Sequence, residues 1–166
     1  MMNKKNAKRR IMFIQQEDYN FLVYNLVLIL LVNRCDSKSA SFHDFRKIAY
    51  LIEFISTNKI ISSFTQDELG DIYSRAQLKK MLLSHVLIVL KRQGIIDISL
   101  NVPHQSFDIW INRNKLPSDF FCETLFSNEI KNIKELNSII KRIRTTTIVK
   151  LVDTLFTSKN IITWEV

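Results

Sequence analysis

Few residues of this 166-residue chain are of a type that does chemistry: His43, His85 and His104, Cys35 and Cys122, and the acidic group Asp67, Glu68 and Asp71. The three histidines fall in three different expected elements, with no carboxylate or cysteine at ligand spacing, so no metal site is expected. His85 lies on an apolar helix half and reads as a hydrogen-bonded core histidine. The three acids sit at an expected helix start, where the helix dipole favours negative charge, and this explains them better than a paired-carboxylate site does. No nucleophile stands beside a base. Gly70 and Gly94 are the only glycines, so neither a phosphate-binding loop nor a dinucleotide fingerprint can be built. The expectation is a chain with no catalytic residues, no cofactor and no metal. The cysteines are far apart and form no redox spacing, which suits reduced thiols in a cytoplasmic protein.

Charge is more informative. The net charge is +8, and it is unevenly placed. Residues 1–10 carry Lys4, Lys5, Lys8, Arg9 and Arg10 without an acid, giving +5. Residues 131–150 carry Lys131, Lys134, Lys141, Arg142, Arg144 and Lys150 against Glu135 alone, again +5. The remainder is therefore slightly acidic. Clustered cations of this kind suit sequence-independent contact with nucleic-acid phosphates, and a solvated helix face is the competing explanation. Two tryptophans are candidate partner contacts. Trp110 alternates against Phe107, Ile109 and Ile111 and so belongs to the other face of its strand, and Trp164 sits in the hydrophobic end IITWEV. A second layer of structure covering that strand face is the alternative.

Three parts should position these residues: a basic N-terminal arm at 1–17, a helical domain at 18–157 and an apolar C-terminal tail at 158–166. Ile11 to Ile14 suits a short strand or docking segment. Helices are expected near 18–33, 42–56, 66–73, 75–93, 117–126 and 128–156. Ser41 with Asp44 and Thr65 with Glu68 supply capping-box signals, and Ser74 and Ser127 supply N-caps. In the second helix, Phe42, Phe45, Ile48, Ala49, Ile52 and Ile55 form the apolar stripe, with His43, Arg46, Lys47 and Glu53 off it. Thr145 to Thr147 should bend the last helix. Gly94 should end the fourth, after which the period changes from helical to alternating. Residues 95–100 and 107–111 then read as a hairpin turning at Val102 to Gln105, with Ile96, Ile98, Leu100, Phe107, Ile109 and Ile111 on its buried side. Ile161 to Val166 reads as a strand. The apolar run Phe21–Val32 is too short to span a bilayer. Glu17 and Asp18 before it, and no small-residue cleavage site after it, argue for a core helix over a signal peptide.

The fold class is therefore mostly α with a small β-hairpin, a winged-helix-like single domain. Such a unit first suggests a DNA-binding transcriptional regulator. Two features oppose groove reading: only the first turns of the helix at 75–93 offer a polar face, and the turn Asn101 to Ser106 carries no charge for phosphate contacts.

The order of elements also resembles a family. DFRKIAYLIEFI (44–55), SRAQLKKMLLSHVLIVLKRQGII (74–96), the hairpin, and KELNSIIKRIRTTTIVKLVDTLF (134–156) together resemble the small middle components of bacterial three-component ATPase defence operons, the Lamassu-like anti-phage systems. The resemblance covers about residues 18–157, and the basic arm and IITWEV tail depart from it. It implies a non-catalytic adaptor between an SMC- or Rad50-like ATPase and an effector such as a nuclease, with non-specific DNA contact and no membrane partner.

Overall fold

The computed structural model describes residues 19–164. The expected arm at 1–17, with Lys4 to Arg10 and the Ile11–Ile14 strand, lies outside these residues. The described chain is mostly helical, with one two-stranded antiparallel sheet.

Helix α1 (19–32) and helix α2 (Lys47–Ile55) form the centre. Leu22, Leu26, Val27, Leu28, Ile29 and Leu30 of α1 are all buried, as its wide apolar stripe requires. Arg34 takes a left-handed conformation (φ 54°), and the Cys35 amide donates to Leu30 O at 2.9 Å, closing α1. Every residue of α2 except Glu53 is buried. The expected start of α2 at Phe42 is corrected. Phe42 forms an antiparallel bridge with Ile109, Asp44 is left-handed (φ 56°), and the helix begins at Lys47. The Ser41–Asp44 box does not form, because Asp44 turns inward to meet the hairpin.

Helix α3 (Gln66–Arg92) corrects a second boundary: it is one helix of 27 residues, not two helices meeting at Ser74. The buried positions Leu69, Ile72, Ala76, Leu83, Val86, Leu87 and Leu90 keep helical spacing across Ser74. Gly70 meets no neighbour within 4 Å and sits in the helix without strain. The start is Thr65, whose hydroxyl accepts from Glu68 N–H while the Glu68 carboxylate accepts from Thr65 N–H, a complete capping box. Gly94 (φ 72°) ends α3 as its sequence predicts, with Ile95 N–H donating to Leu90 O.

Strands β1 (Ile96–Asn101) and β2 (Ser106–Ile111) follow, pairing Ile96 with Ile111, Ile98 with Ile109 and Leu100 with Phe107. The apolar face is buried only at the base. At the tip Leu100 is 67% exposed and Phe107 is also exposed, while the polar pair Asn101 and Ser106 on the opposite face is buried.

Residues 117–126 form turns rather than a helix. Most of them are exposed, so no buried face compensates the cost of fixing a short helix. Helix α4 (Ser127–Ile139) starts at Ser127 itself, without a side-chain cap. The expected single helix at 128–156 is broken: α4 stops at Ile139, a loop with Arg142 left-handed (φ 56°) intervenes, and helix α5 (Ile148–Leu155) restarts with the Thr147 hydroxyl accepting from Lys150 N–H. Thr147 therefore caps a new helix instead of helping to bend an old one. Residues 161–164 are not a strand. No helix among the described residues is long and apolar enough to cross a membrane.

Candidate functional site

Of the cations expected at residues 131–150, all but Arg144 are exposed. Lys131 and Lys134 are exposed one turn apart on α4, and Lys141 and Arg142 are exposed just past its C-terminal end, where the dipole favours positive charge. Among the described residues none of them forms an ion pair. Arg144 is separated from this row. It is half-buried in a cleft between the end of α1 and the 140–147 loop, lined with Asn33, Asn137 and Arg142. Of the five candidate phosphate contacts in this stretch, the cleft brings only Arg142 and Arg144 together.

The tryptophans fare differently. Trp110 pairs across the hairpin with Asp97, opposite the buried face, and is half-buried. Trp164 packs its ring edge-on against Tyr73 at 4.8 Å, and its backbone N–H donates to Tyr73 Oη at 3.0 Å. Ile161 packs on the core, and Gln66 Nε2 donates to Lys159 O. The tail as far as Trp164 thus docks on α3 of its own chain, with Trp164 still 60% exposed.

His85 is exposed, not a core histidine: the buried side of α3 passes through Val86 and Leu87 instead. Its neighbours explain the error. Leu78 and Met81 are each 74% exposed and Ile88 52%, so α3 carries a second apolar stripe that faces out. The sequence signal was a run from Met81 to Leu90 that is apolar except for Ser84 and His85, more than one buried face needs. A helix that buries one face has no internal need of the other.

Sequence reasoning also missed two buried polar devices. Lys47, expected off the apolar stripe, is 0% exposed. Its ammonium donates to Ile143 O (2.8 Å), Arg144 O (3.1 Å) and Thr146 O (2.8 Å), and lies 4.5 Å from the centre of the Phe42 ring. Burial pushes Lys47 down to about 7, against the pull of Asp44 and Asp108. This one cation ties α2 to the loop between α4 and α5. The same burial pushes the nearby Cys35 thiol up to about 12, so it is inert at neutral pH.

The second device joins the start of α2 to the hairpin turn. The Asp44 carboxylate accepts from Arg46 Nε and Nη2, both at 2.8 Å, and from Ser106 Oγ at 2.7 Å. Asp44 N–H donates to Asp108 Oδ1, which also accepts from Asn101 Nδ2 at 2.7 Å. Burial pushes the Asp44 carboxyl up, but Arg46 and Ser106 outweigh it and hold it below its ordinary value. His43 Nε2 lies 3.8 Å from Asp108 Oδ2. Serine, histidine and carboxylate are therefore near one another, but Ser106 is buried and hydrogen-bonded to Asp44, not to His43. The group is placed to fix the hairpin, with Asp44 and not the histidine on the hydroxyl.

Among the described residues no cluster of histidine, cysteine and carboxylate side chains is arranged to hold a metal ion. No family model, no curated protein and no solved structure matches the chain.

Proposed function

We propose that this protein is a non-catalytic adaptor, a winged-helix-like subunit of a bacterial anti-phage defence complex that links an SMC/Rad50-like ATPase to an effector such as a nuclease. The observation that carries the adaptor role is the outward stripe of Leu78, Met81 and Ile88 on α3. Large apolar side chains grouped on one exposed helix face are a common mark of a protein contact. The identity of the partners rests on the resemblance in element order.

The winged reading has its own support. Phe42, between α1 and α2, exchanges both backbone hydrogen bonds with Ile109 of β2, giving the spatial order Phe42, β2, β1 after a helix pair. A hairpin that follows α3 and pairs with Phe42 in this way supports the winged-helix-like reading.

Base reading by that unit is disfavoured. As one helix beginning at Gln66, α3 carries Asp67, Glu68 and Asp71 in its first turns, and carboxylates repel phosphates. The hairpin tip has exposed Leu100 and Val102 and no cation from Asn101 to Ser106. Non-specific DNA contact falls instead to Lys131, Lys134, Lys141, Arg142 and Arg144, with the Lys4–Arg10 arm adding charge. A binding selection on random DNA tests this against the regulator alternative. The expected result is no enriched sequence, with affinity falling steeply with salt and falling for all sequences alike when residues 1–10 are removed. Enrichment of one operator sequence would overturn the adaptor reading.

A further inference from the structure

The loop between α4 and α5 forms a cleft of about 420 Å³ with the end of α1, lined by Asn33, Asn137, Arg142, Ile143, Arg144 and Thr145. No carboxylate lines it, and residues 136–152 carry Lys141, Arg142, Arg144 and Lys150 without an acid. Among the described residues neither Arg142 nor Arg144 has an ion-pair partner. Asp36, just past α1, pairs with Arg113 instead, and burial keeps the Cys35 thiol near Arg144 neutral. Asn137 buries its Oδ1, so the end of its amide left to the cleft is the Nδ2 donor.

The loop is also fixed in advance. Lys47 Nζ donates to Ile143 O, Arg144 O and Thr146 O, and His43 N–H donates to Arg144 O. The carbonyl of left-handed Arg142 accepts from Thr145 N–H and Thr146 N–H, both at 2.9 Å. Donors held in place before a ligand arrives cost little to order on binding.

We propose that this cleft binds a phosphate monoester, the 5′-phosphate of a nucleotide, on Arg142, Arg144 and Asn137. The proposal goes beyond sequence-independent DNA contact and does not depend on it or on the adaptor role. A monoester carries nearly two negative charges at pH 7, which match two unpaired guanidinium forks. An internal phosphodiester carries one. The volume admits the sugar and base as well as the phosphate.

The probe is adenosine 5′-monophosphate, titrated calorimetrically into the full chain, with adenosine and inorganic sulfate as controls. It should bind saturably, and at least about tenfold more tightly than either control. Arg142→Asn and Arg144→Gln should each weaken it at least about tenfold, and Arg144→Lys should restore only part of the loss, because it returns the charge without the fork. Arg142 is exposed, and asparagine tolerates its left-handed backbone, so an unchanged melting temperature should accompany that loss even if Arg144→Gln is less stable. A single-stranded oligonucleotide with a 5′-phosphate and its 5′-hydroxyl twin identify the source. Tighter binding of the phosphorylated strand, lost in Arg142→Asn, assigns the cleft to strand ends, and equal binding of the twins beside tight mononucleotide binding assigns it to free nucleotide. Either result upholds the site. Adenosine or sulfate binding as tightly as the nucleotide, no saturable nucleotide binding, or full affinity in Arg142→Asn would overturn it. If the twins then still bind equally and with steep salt dependence, only the cleft is wrong and the DNA contact stands. If the nucleotide binds and neither strand does, the DNA contact falls and the cleft stands.

Discussion

Replacing Lys47 by methionine should have a pH-dependent effect whose size follows from the cage. At pH 6 the wild-type ammonium is charged, and two opposing costs meet. Methionine leaves Ile143 O and Thr146 O without the donor each has in Lys47, while Arg144 O keeps His43 N–H at 2.9 Å. An orphaned buried acceptor costs roughly 1–3 kcal/mol, so the two cost about 2–6 kcal/mol. Methionine also removes the cost of burying a charge, itself several kcal/mol. The two nearly cancel, and the variant should match wild type within about 1 kcal/mol at pH 6. Raising the pH changes only one of them. The folded pKa near 7 lies below the ordinary lysine value of 10.5, so between these values the unfolded chain holds a proton that the folded chain has released. The Lys47 contribution to wild-type stability therefore rises with pH in this window, by at most about 1.4 kcal/mol per unit. A neutral amine still donates two protons to the cage, whereas methionine donates none. At pH 9 the variant should be about 2 kcal/mol less stable than wild type. Urea midpoints for both proteins at pH 6 and pH 9 measure this directly. A difference that does not change with pH would refute the reasoning, because it would mean that the carbonyls hold the ammonium charged as water does.

Three further outcomes are expected. Cys35, held protonated to about 12 against 9.0 for an ordinary thiol, removes stability as pH rises from 9 toward 12, since the unfolded thiol ionises first, and up to 10.5 this offsets the gain from Lys47; from pH 9 upward the urea midpoint of Cys35→Ala should therefore gain on that of wild type. Thr65→Ala removes the hydroxyl that caps α3 and should cost about 1 kcal/mol in thermal or urea unfolding, whereas Ser74→Ala, now mid-helix and exposed, should cost almost nothing. Truncation after Asn160 strips Ile161 from the core and Trp164 from Tyr73 and should lower stability by about 2 kcal/mol; an unchanged midpoint would show that the tail does not dock on its own chain.

Where the chain announced its own boundaries, the sequence was readable. Gly94 is the one glycine placed where a left-handed residue must end a helix, and the alternation after it could only be a strand. Thr65 and Glu68 were legible because their box is local. Ser74 misled because a residue type that caps well is also tolerated inside a helix when a buried stripe runs past it. Asp44 misled for the converse reason: its partners Ser106 and Asp108 come from an element more than sixty residues away. Lys47 was invisible on the same ground. Its acceptors lie 96 to 99 residues downstream, and no periodicity in α2 marks a lysine for burial. The stripe at Leu78, Met81 and Ile88 was present in the sequence as surplus apolarity, but which face of α3 is covered depends on how α2, α4 and the hairpin pack, which spacing alone does not say.

The central claim is a role among partners, and affinity purification of the tagged protein, expressed at native level from its own operon, tests it most directly. The account predicts recovery in a complex with an SMC/Rad50-like ATPase and a second, effector subunit, surviving nuclease treatment of the lysate. Recovery alone, as a monomer or homodimer that footprints on its own promoter, would contradict it and make the protein a regulator.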